Sequence, residues 1–331
     1  MTLRTWVLVL VAAGAALAGQ AGGRFVPPRA SVRPYRPDRP FTQNPAVEFD
    51  LKYNFSVPGR TERIEFRVAV PQSIEGRQNI LSVSYSPNPS RVFEANGNRY
   101  AEFVFLEPGR RENVTITVKA ELFKYDLLTA RLNRRGDYPQ DDRLDEFLRH
   151  EKCIEKDHPA IQQIAEGIEG EGDVDVVKNI YDYVLDNMEY SALGRKELGA
   201  AKAAQSGKGD CTEYSDLFVA LCRAKGLPAR VTSGYTVGFG ERQTGHSWAE
   251  AYLQGYGWVP FDPTAGDMEN PLRRGMAFSN LGPVYVYVSH IRSDPVLRNY
   301  NLSAYRYWGD RITVKDSIEF RPFAPVLPDS R

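Results

Sequence analysis

Alternation of apolar and polar residues is the main pattern between residues 46 and 128. It occurs in five stretches separated by Pro, Gly and Asn residues, namely residues 47–57, 63–70, 80–85, 100–105 and 114–122. A period of two residues is typical of strands with one buried face. Several short strands at this spacing predict a small β-sandwich, which we place at residues 46–128.

The pattern then changes to a helical period. Apolar residues recur every three or four positions in residues 175–188 and 212–225, and the second stretch closes at Gly226-Leu227-Pro228. Strand patterns follow at residues 229–237, 247–253, 258–261, 284–289 and 312–320. Helices that precede an antiparallel sheet predict an α+β domain, which we place at residues 140–322.

The amino terminus departs from both patterns. A single positive charge at Arg4 precedes an apolar run at residues 7–18 that is shorter than the roughly 20 residues of a membrane-spanning helix. Residues 1–18 therefore predict a signal peptide cut before Gly19, and a secreted or periplasmic protein without a lasting membrane span. An uncleaved membrane anchor is the alternative. Residues 19–45 are rich in Pro, Arg and Gly and predict an extended linker.

The composition limits the partners and the redox chemistry. The chain has 42 basic and 42 acidic residues, so no net field favours a nucleic acid. Three cysteines are too few for a disulfide scaffold. Cys211 and Cys222 share a predicted helix and lie too far apart along it to pair. A bridge between Cys153 and Cys222 and two buried, unpaired thiols both remain open.

Cys211 is the cysteine whose sequence context favours a reactive thiol. It follows Gly207-Lys208-Gly209-Asp210 and begins the second predicted helix. The unpaired N–H groups and the dipole at a helix N-terminus stabilise a thiolate, which is the nucleophilic form of cysteine. The same amides can bind the oxyanion of an acyl intermediate. Cys222 lies on the apolar face of that helix and fits an inert core thiol.

A cysteine nucleophile needs a base, and His246 is the most distinctive of the four histidines. It opens a strand pattern that places His246, Trp248, Glu250 and Tyr252 on one face. A turn at Gly255-Tyr256-Gly257 leads into a returning stretch, Trp258 to Thr264, that contains Asp262. Such a hairpin can bring the carboxylate of Asp262 to the imidazole, where it would orient the ring. Without further context, a purely structural role for the two residues is the alternative.

Three stretches taken together supply that context, because they resemble the transglutaminase-like superfamily. They are Gly209-Asp210-Cys211-x-x-Tyr214, Gly245-His246-x-Trp248-x-Glu250 and Gly257-Trp258-x-Pro260-x-Asp262-Pro263-Thr264. The similarity covers about residues 175–265. It implies a papain-like core of helices packed on an antiparallel sheet. By position it implies Cys211 as nucleophile, His246 as base and Asp262 as the orienting acid.

The resemblance also implies acyl transfer from a protein or peptide amide through a thioester. Water as acceptor would make the enzyme a peptidase or deamidase, and an amine would make it a cross-linker. Tyr190 is a candidate second oxyanion donor and Trp248 a candidate shield against water, with packing as the alternative for each. No calcium loop or zinc ligand set is visible in the sequence, so no cofactor is expected.

A catalytically idle binding or envelope-assembly module is the alternative function. In that case the β-sandwich would bind a partner and the papain-like domain would serve as a scaffold. The presence of Cys211, His246 and Asp262 together favours the enzyme, because a scaffold has no physical need for all three side chains in these settings.

Overall fold

A computed structural model describes residues 24–26, 46–132, 144–192, 197–238 and 245–323. The predicted signal peptide, residues 1–18, and nearly all of the predicted linker, residues 19–45, lie outside these ranges. In the described part of the chain, no helix combines the length and the apolar character needed to cross a membrane.

The described strands are β1 (Arg24–Val26), β2 (Ala46–Ser56), β3 (Thr61–Val70), β4 (Gln78–Ser86), β5 (Arg91–Ala95), β6 (Asn98–Leu106), β7 (Arg111–Leu122), β8 (Tyr125–Asp126), β9 (Glu189–Tyr190), β10 (Lys208–Gly209), β11 (Ala229–Thr236), β12 (Gly245–Leu253), β13 (Gly257–Phe261), β14 (Asn280–Leu281), β15 (Tyr285–Ser289), β16 (Ser303–Gly309) and β17 (Thr313–Pro322). The helices are α1 (Leu127–Leu132), α2 (Pro159–Glu166), α3 (Asp173–Asn187), α4 (Ala200–Ser206), α5 (Cys211–Ala224), α6 (Pro263–Gly266) and α7 (Pro271–Ala277). A short 3₁₀ helix spans Leu144–Leu148.

The N-terminal β-rich region forms two sheets. Their strand orders are β1-β16-β3-β6-β5 and β17-β2-β7-β4. The alternation seen in the sequence sets the buried face: every second residue of β7, from Val114 to Leu122, is fully buried. These side chains and those of β2 and β3 enter one hydrophobic cluster, so the period of two builds the core of this region.

The carboxyl-terminal strands lie where the sequence did not place them. The strand predicted at residues 312–320 exists, but it does not join the antiparallel sheet that was predicted to follow the helices: β17 pairs with β2, with Phe320 opposite Phe49. Strand β16, which the pattern did not reveal, pairs with β3. An alternating pattern determines which face of a strand is buried and leaves its partner undetermined. The proposed domain boundaries at residues 128 and 140 stay a prediction.

A four-stranded antiparallel sheet, β13-β12-β11-β15, lies between the helices and the N-terminal sheets. Ala249 and Ala251 of β12 belong to the cluster formed with α3 and α5, whereas Trp248 belongs to the cluster of the N-terminal sheets. Helices α3 and α5 begin and end within two residues of their predicted positions. The predicted α+β class, with a β-rich region before a core of helices on an antiparallel sheet, is confirmed.

The three cysteines are free and buried. The question of a bridge between Cys153 and Cys222 is thereby answered in favour of two unpaired thiols. Cys222 is fully buried among the apolar residues of α5.

Candidate active site

A capping box fixes the position of Cys211 at the start of α5. Asp210 Oδ1 accepts a hydrogen bond of 2.9 Å from the amide of Thr212, and Glu213 Oε2 accepts one of 3.1 Å from the amide of Asp210. Together they satisfy two donors at the helix end. Neither bond uses the amide of Cys211. That N–H, the first of the helix and without an intrahelical acceptor, remains for a ligand oxygen.

Gly209 lets the chain approach α5 closely just before the nucleophile. A Cβ atom at this position would lie 2.3 Å from Cβ of Glu213 and 3.0 Å from Cε of Met188. Any larger residue would therefore push the capping carboxylate away from the helix end.

Strand β12 carries His246 on the face directed at the N-terminal sheets. Its neighbour across the sheet is Gly234 of β11. A Cβ atom on Gly234 would lie 1.9 Å from the carbonyl oxygen of Val286 and 2.9 Å from Cη2 of Trp248. The missing side chain allows β15 and the indole ring to pack closely beside the imidazole.

Asp262 follows β13 directly and caps the N-terminus of α6. Its Oδ1 accepts a hydrogen bond of 2.9 Å from the amide of Ala265. Its Oδ2 lies 2.7 Å from Nε2 of His246 and accepts a second bond of 2.7 Å from the hydroxyl of Tyr285. The carboxylate is 3% exposed, and the hydroxyl of Tyr181 donates to the Asp262 carbonyl at 3.2 Å. The acid is therefore held by both of its oxygens and by its backbone.

Sulfur, imidazole and carboxylate are brought together. Burial alone lowers the pKa of His246, but the charge and hydrogen bond of Asp262, with a side-chain hydrogen bond to Cys211, outweigh it and raise that pKa to about 10. Because Nε2 faces Asp262, Nδ1 is the ring nitrogen left for the thiol. Burial alone raises the pKa of Asp262, and the neighbouring imidazolium and the hydrogen bonds to the carboxylate lower it below its usual range.

Tyr190 lies next to the nucleophile, in the short strand β9 whose residue Tyr190 pairs with Gly209. Its hydroxyl oxygen is buried and has no hydrogen-bond partner among the described residues. Burial, followed by the charges of Cys211, Asp210 and Glu213, raises the pKa of this hydroxyl. The group is therefore a neutral O–H donor near the sulfur whose donor capacity is unused.

Trp248 forms the wall behind the imidazole. It is fully buried, and its ring centroid lies 5.9 Å from that of His246 with the planes at 28°. Tyr285 and Tyr287 pack on the indole with centroids at 5.1 and 4.8 Å. The ring is thus a core aromatic by burial and also the surface that separates His246 from the N-terminal sheets.

A buried ion pair supports the sheet further along the same strands. Arg230 Nε and Nη2 both donate to Oε2 of Glu250, at 2.9 and 2.7 Å. Burial raises the pKa of Glu250, but the charges of Arg230, His290 and Arg77 lower it overall. The guanidinium of Arg230 also stacks on Trp258 at 3.9 Å. Among the described residues, no cluster of three or more His, Cys, Asp and Glu side chains could hold a metal ion.

Tyr285 and Tyr181 are the contacts of the site that sequence reasoning missed. Tyr285 falls within the strand predicted at residues 284–289, and Tyr181 within the first predicted helix. Their apolar rings fit the periodic pattern of a core residue, so the pattern alone did not distinguish them. Only the pairing of β15 with β11 indicates that Tyr285 faces Asp262.

Comparison with known proteins bears on the family of one segment and on the fold of the chain. Residues 162–263 match the family model of the transglutaminase-like superfamily. This segment is a transglutaminase-like domain. A crystal structure of a candidate cysteine protease from Cytophaga hutchinsonii matches 87% of this chain and 93% of its own, with a TM-score of 0.60 at 19% identity. At that identity the likeness concerns the fold, and it extends over the N-terminal sheets as well as the transglutaminase-like domain.

Relatives found by sequence match smaller parts of this chain. An uncharacterised Haemophilus influenzae protein is 25% identical over 251 residues, 65% of this chain and 68% of that protein. Mouse kyphoscoliosis peptidase is 32% identical over 111 residues, 30% of this chain. YebA of Bacillus subtilis is 38% identical over 71 residues. The matches span only 16% of the peptidase and 10% of YebA.

Proposed function

We propose that this protein is a cysteine-nucleophile enzyme that transfers the acyl group of a protein or peptide amide through a thioester. The observation that carries the proposal is the 2.7 Å contact between Nε2 of His246 and Oδ2 of Asp262, with the Cys211 side chain close enough to the same imidazole to raise its pKa. Nucleophile, base and orienting acid in contact are the arrangement that thiol-dependent acyl transfer requires.

In the first half of the reaction, the Cys211 thiolate attacks the carbonyl carbon and a C–S bond forms while the carbonyl electrons move to oxygen. The amide of Cys211 and the hydroxyl of Tyr190 are the donors we assign to this oxyanion. The intermediate collapses, the C–N bond breaks, and the His246 imidazolium gives its proton to the departing amine. Asp262 holds the ring so that Nδ1 faces the sulfur. Trp248 excludes water from one side of the imidazole.

In the second half, neutral His246 takes a proton from water or from an incoming amine, which attacks the thioester. The C–S bond breaks and the thiolate returns, so protons and charge balance over the cycle. The names of two similar proteins, a peptidase and a candidate cysteine protease, favour water as the acceptor and a protein as the substrate. A secreted or periplasmic location, with removal of residues 1–18, is part of the proposal and rests on the sequence alone.

One observation favours the alternative, a catalytically idle binding or assembly module. Cys211 is 4% exposed and His246 is 9% exposed, so substrate must reach a site that is nearly closed. In an idle module the three side chains would form a buried polar network that only stabilises the fold.

The test is a product analysis. The protein would be incubated with a peptide library and a labelled primary amine and read by mass spectrometry, beside Cys211→Ala and the matched control Cys153→Ala, which removes another buried thiol. The proposal predicts cleaved, deamidated or labelled peptides with the wild type and with Cys153→Ala, and none with Cys211→Ala. Label incorporation would identify an amine as acceptor. No product from the wild type, or the same products from Cys211→Ala, would refute the proposal.

A further inference from the structure

The carboxylate of Asp262 is shared among three donors. Oδ2 receives the hydroxyl of Tyr285 and Nε2 of His246, both at 2.7 Å, while Oδ1 receives the amide of Ala265 at 2.9 Å. Charge-assisted bonds of this length are strong, and they divide the negative charge of the acid among three donors. The Tyr285 hydroxyl therefore donates to Oδ2, the same oxygen that orients the His246 imidazole.

We propose that Tyr285 is a positioning residue of the triad, whose hydroxyl sets the direction of the Asp262 carboxylate and limits how strongly that carboxylate holds the His246 imidazolium. This inference rests on the proposed function. The residue acts through Asp262 and has no assigned contact with substrate.

The strand geometry makes this role specific to Tyr285. Strand β15 is the edge strand beside β11, and the Tyr285 ring packs against Trp248 and His246 with centroids at 5.1 and 6.3 Å. The ring is 6% exposed, so packing determines where the hydroxyl points. The edge of the sheet thus places an aromatic ring against the imidazole and its polar end on the acid.

The other groups around the carboxylate do not duplicate this bond. From α3, the hydroxyl of Tyr181 donates to the backbone carbonyl of Asp262 and leaves the carboxylate oxygens alone. From α5, Cys211 acts on the His246 imidazole, whereas the groups that act on the Asp262 carboxylate are His246, Ala265 and Tyr285. Among the side chains of these elements, Tyr285 is therefore the donor that competes with His246 for Oδ2.

The chemical consequence concerns the proton. During collapse of the intermediate the imidazolium must release its proton to the leaving amine. Without the Tyr285 hydrogen bond the carboxylate is a stronger acceptor. Because the site is buried, water does not screen this gain in acceptor strength. The carboxylate would hold the imidazolium more tightly. Loss of one hydrogen bond of ordinary strength corresponds to an upward shift of about 0.7 pH units in imidazolium titration and a roughly fivefold slower proton release.

Tyr285→Phe tests this with the loss of one oxygen. The rate of Cys211 alkylation by iodoacetamide would be followed from pH 4 to 11, and His246 protonation by NMR over the same range. The matched control is Tyr287→Phe, on the same strand and packed on the same indole at 4.8 Å, whose hydroxyl lies near Arg77 and Glu250 rather than Asp262. 3,5-Difluorotyrosine at position 285, a stronger donor, gives the opposite perturbation without removing the contact.

The proposal predicts that Tyr285→Phe moves the alkaline transition upward by about 0.7 pH units, that difluorotyrosine moves it downward, and that Tyr287→Phe leaves it in place. Coincident profiles for wild type and Tyr285→Phe, shifts of the same sign for both substitutions at position 285, or an equal shift in Tyr287→Phe would each overturn it. A wild-type thiol that titrates like free cysteine would overturn the proposed function, and this inference with it, so the two failures are distinguishable.

Discussion

Replacement of Asp262 by Asn exchanges one carboxylate oxygen for an NH₂ group and removes the negative charge. It therefore tests the electrostatics of the site. Both carboxylate oxygens accept hydrogen bonds, Oδ1 from the Ala265 amide and Oδ2 from His246 and Tyr285. An amide side chain has one acceptor and one donor. If its oxygen faces His246, its NH₂ group faces the Ala265 N–H and the cap of α6 is lost, which costs about 1 kcal/mol. The negative charge is lost in either orientation.

The charge is the larger effect. The pKa of His246 is about 10 in place of its ordinary 6.5. That difference corresponds to about 5 kcal/mol in favour of the imidazolium, at about 1.4 kcal/mol per pH unit. The imidazole is buried, so solvent screens little of it. Without Asp262 the burial that lowers the pKa is no longer opposed by a carboxylate. We expect a neutral His246 at pH 7 and a loss of Cys211 reactivity of about thirtyfold or more, because a thiol with the ordinary pKa of about 8.5 is only about 3% thiolate at pH 7.

The raised pKa of His246 also determines how the free energy of unfolding depends on pH. The folded-state pKa of His246 lies above its unfolded value, so this contribution is complete below about pH 6.5 and is lost as the pH rises through about 10. The pKa of Asp262 is lowered in the folded state, so its contribution is lost when the pH falls below about 4. Asp262→Asn should therefore cost most stability between about pH 4 and 6.5 and much less at pH 10.

Urea unfolding at pH 5.5, 7.5 and 10 measures the stability, and iodoacetamide labelling at pH 7 measures the reactivity. The matched control is Asp157→Asn, since His150 and Asp157 form another His–Asp pair at 3.5 Å whose side chains are 50% and 58% exposed. Exposed pairs contribute about 1 kcal/mol or less. An Asp262→Asn penalty that is the same at pH 5.5 and pH 10, or no larger than that of Asp157→Asn, would show that the buried pair does not stabilise the folded protein through its charges.

Two further substitutions probe the sheet that carries the site. Gly234→Ala places a Cβ atom 1.9 Å from the Val286 carbonyl oxygen and should lower the free energy of unfolding by about 2 kcal/mol or more. Urea titration measures this loss, and an unchanged unfolding midpoint would contradict the close packing. Glu250→Ala leaves the buried Arg230 without its carboxylate and should cost about 3–5 kcal/mol, whereas Glu319→Ala, 56% exposed beside Lys52, should cost about 1 kcal/mol or less. Equal losses would show that burial of the pair is energetically unimportant.

The sequence predicted best those features that are encoded locally. Helix α5 carries its own start signal, an Asp at the cap and Glu213 three residues later, followed by a long apolar period. The contact of His246 with Asp262 follows from one hairpin, whose turn and flanking strands lie within a few residues of each other. These features depend on neighbours in the chain, so one sequence suffices to predict them.

Features that depend on pairing between distant segments of the chain could not be predicted from the local pattern of apolar and polar residues. Strands β16 and β17 return to β3 and β2 across more than 200 residues, and nothing in an alternating stretch specifies such a partner. The short helices α2 and α4 offer too few turns for a clear period. Tyr285 reaches Asp262 only because β15 is placed beside β11, so its role emerges from the assembled sheet.

The pH dependence of Cys211 alkylation, in the wild type and in His246→Ala, shows whether the imidazole activates the thiol. The wild type should react rapidly with iodoacetamide well below pH 8, because the imidazolium stabilises the thiolate, and the variant should lose that low-pH reactivity. A wild-type profile that rises only near pH 8.5, as for a free cysteine, and that His246→Ala leaves unchanged would contradict this activation of the thiol.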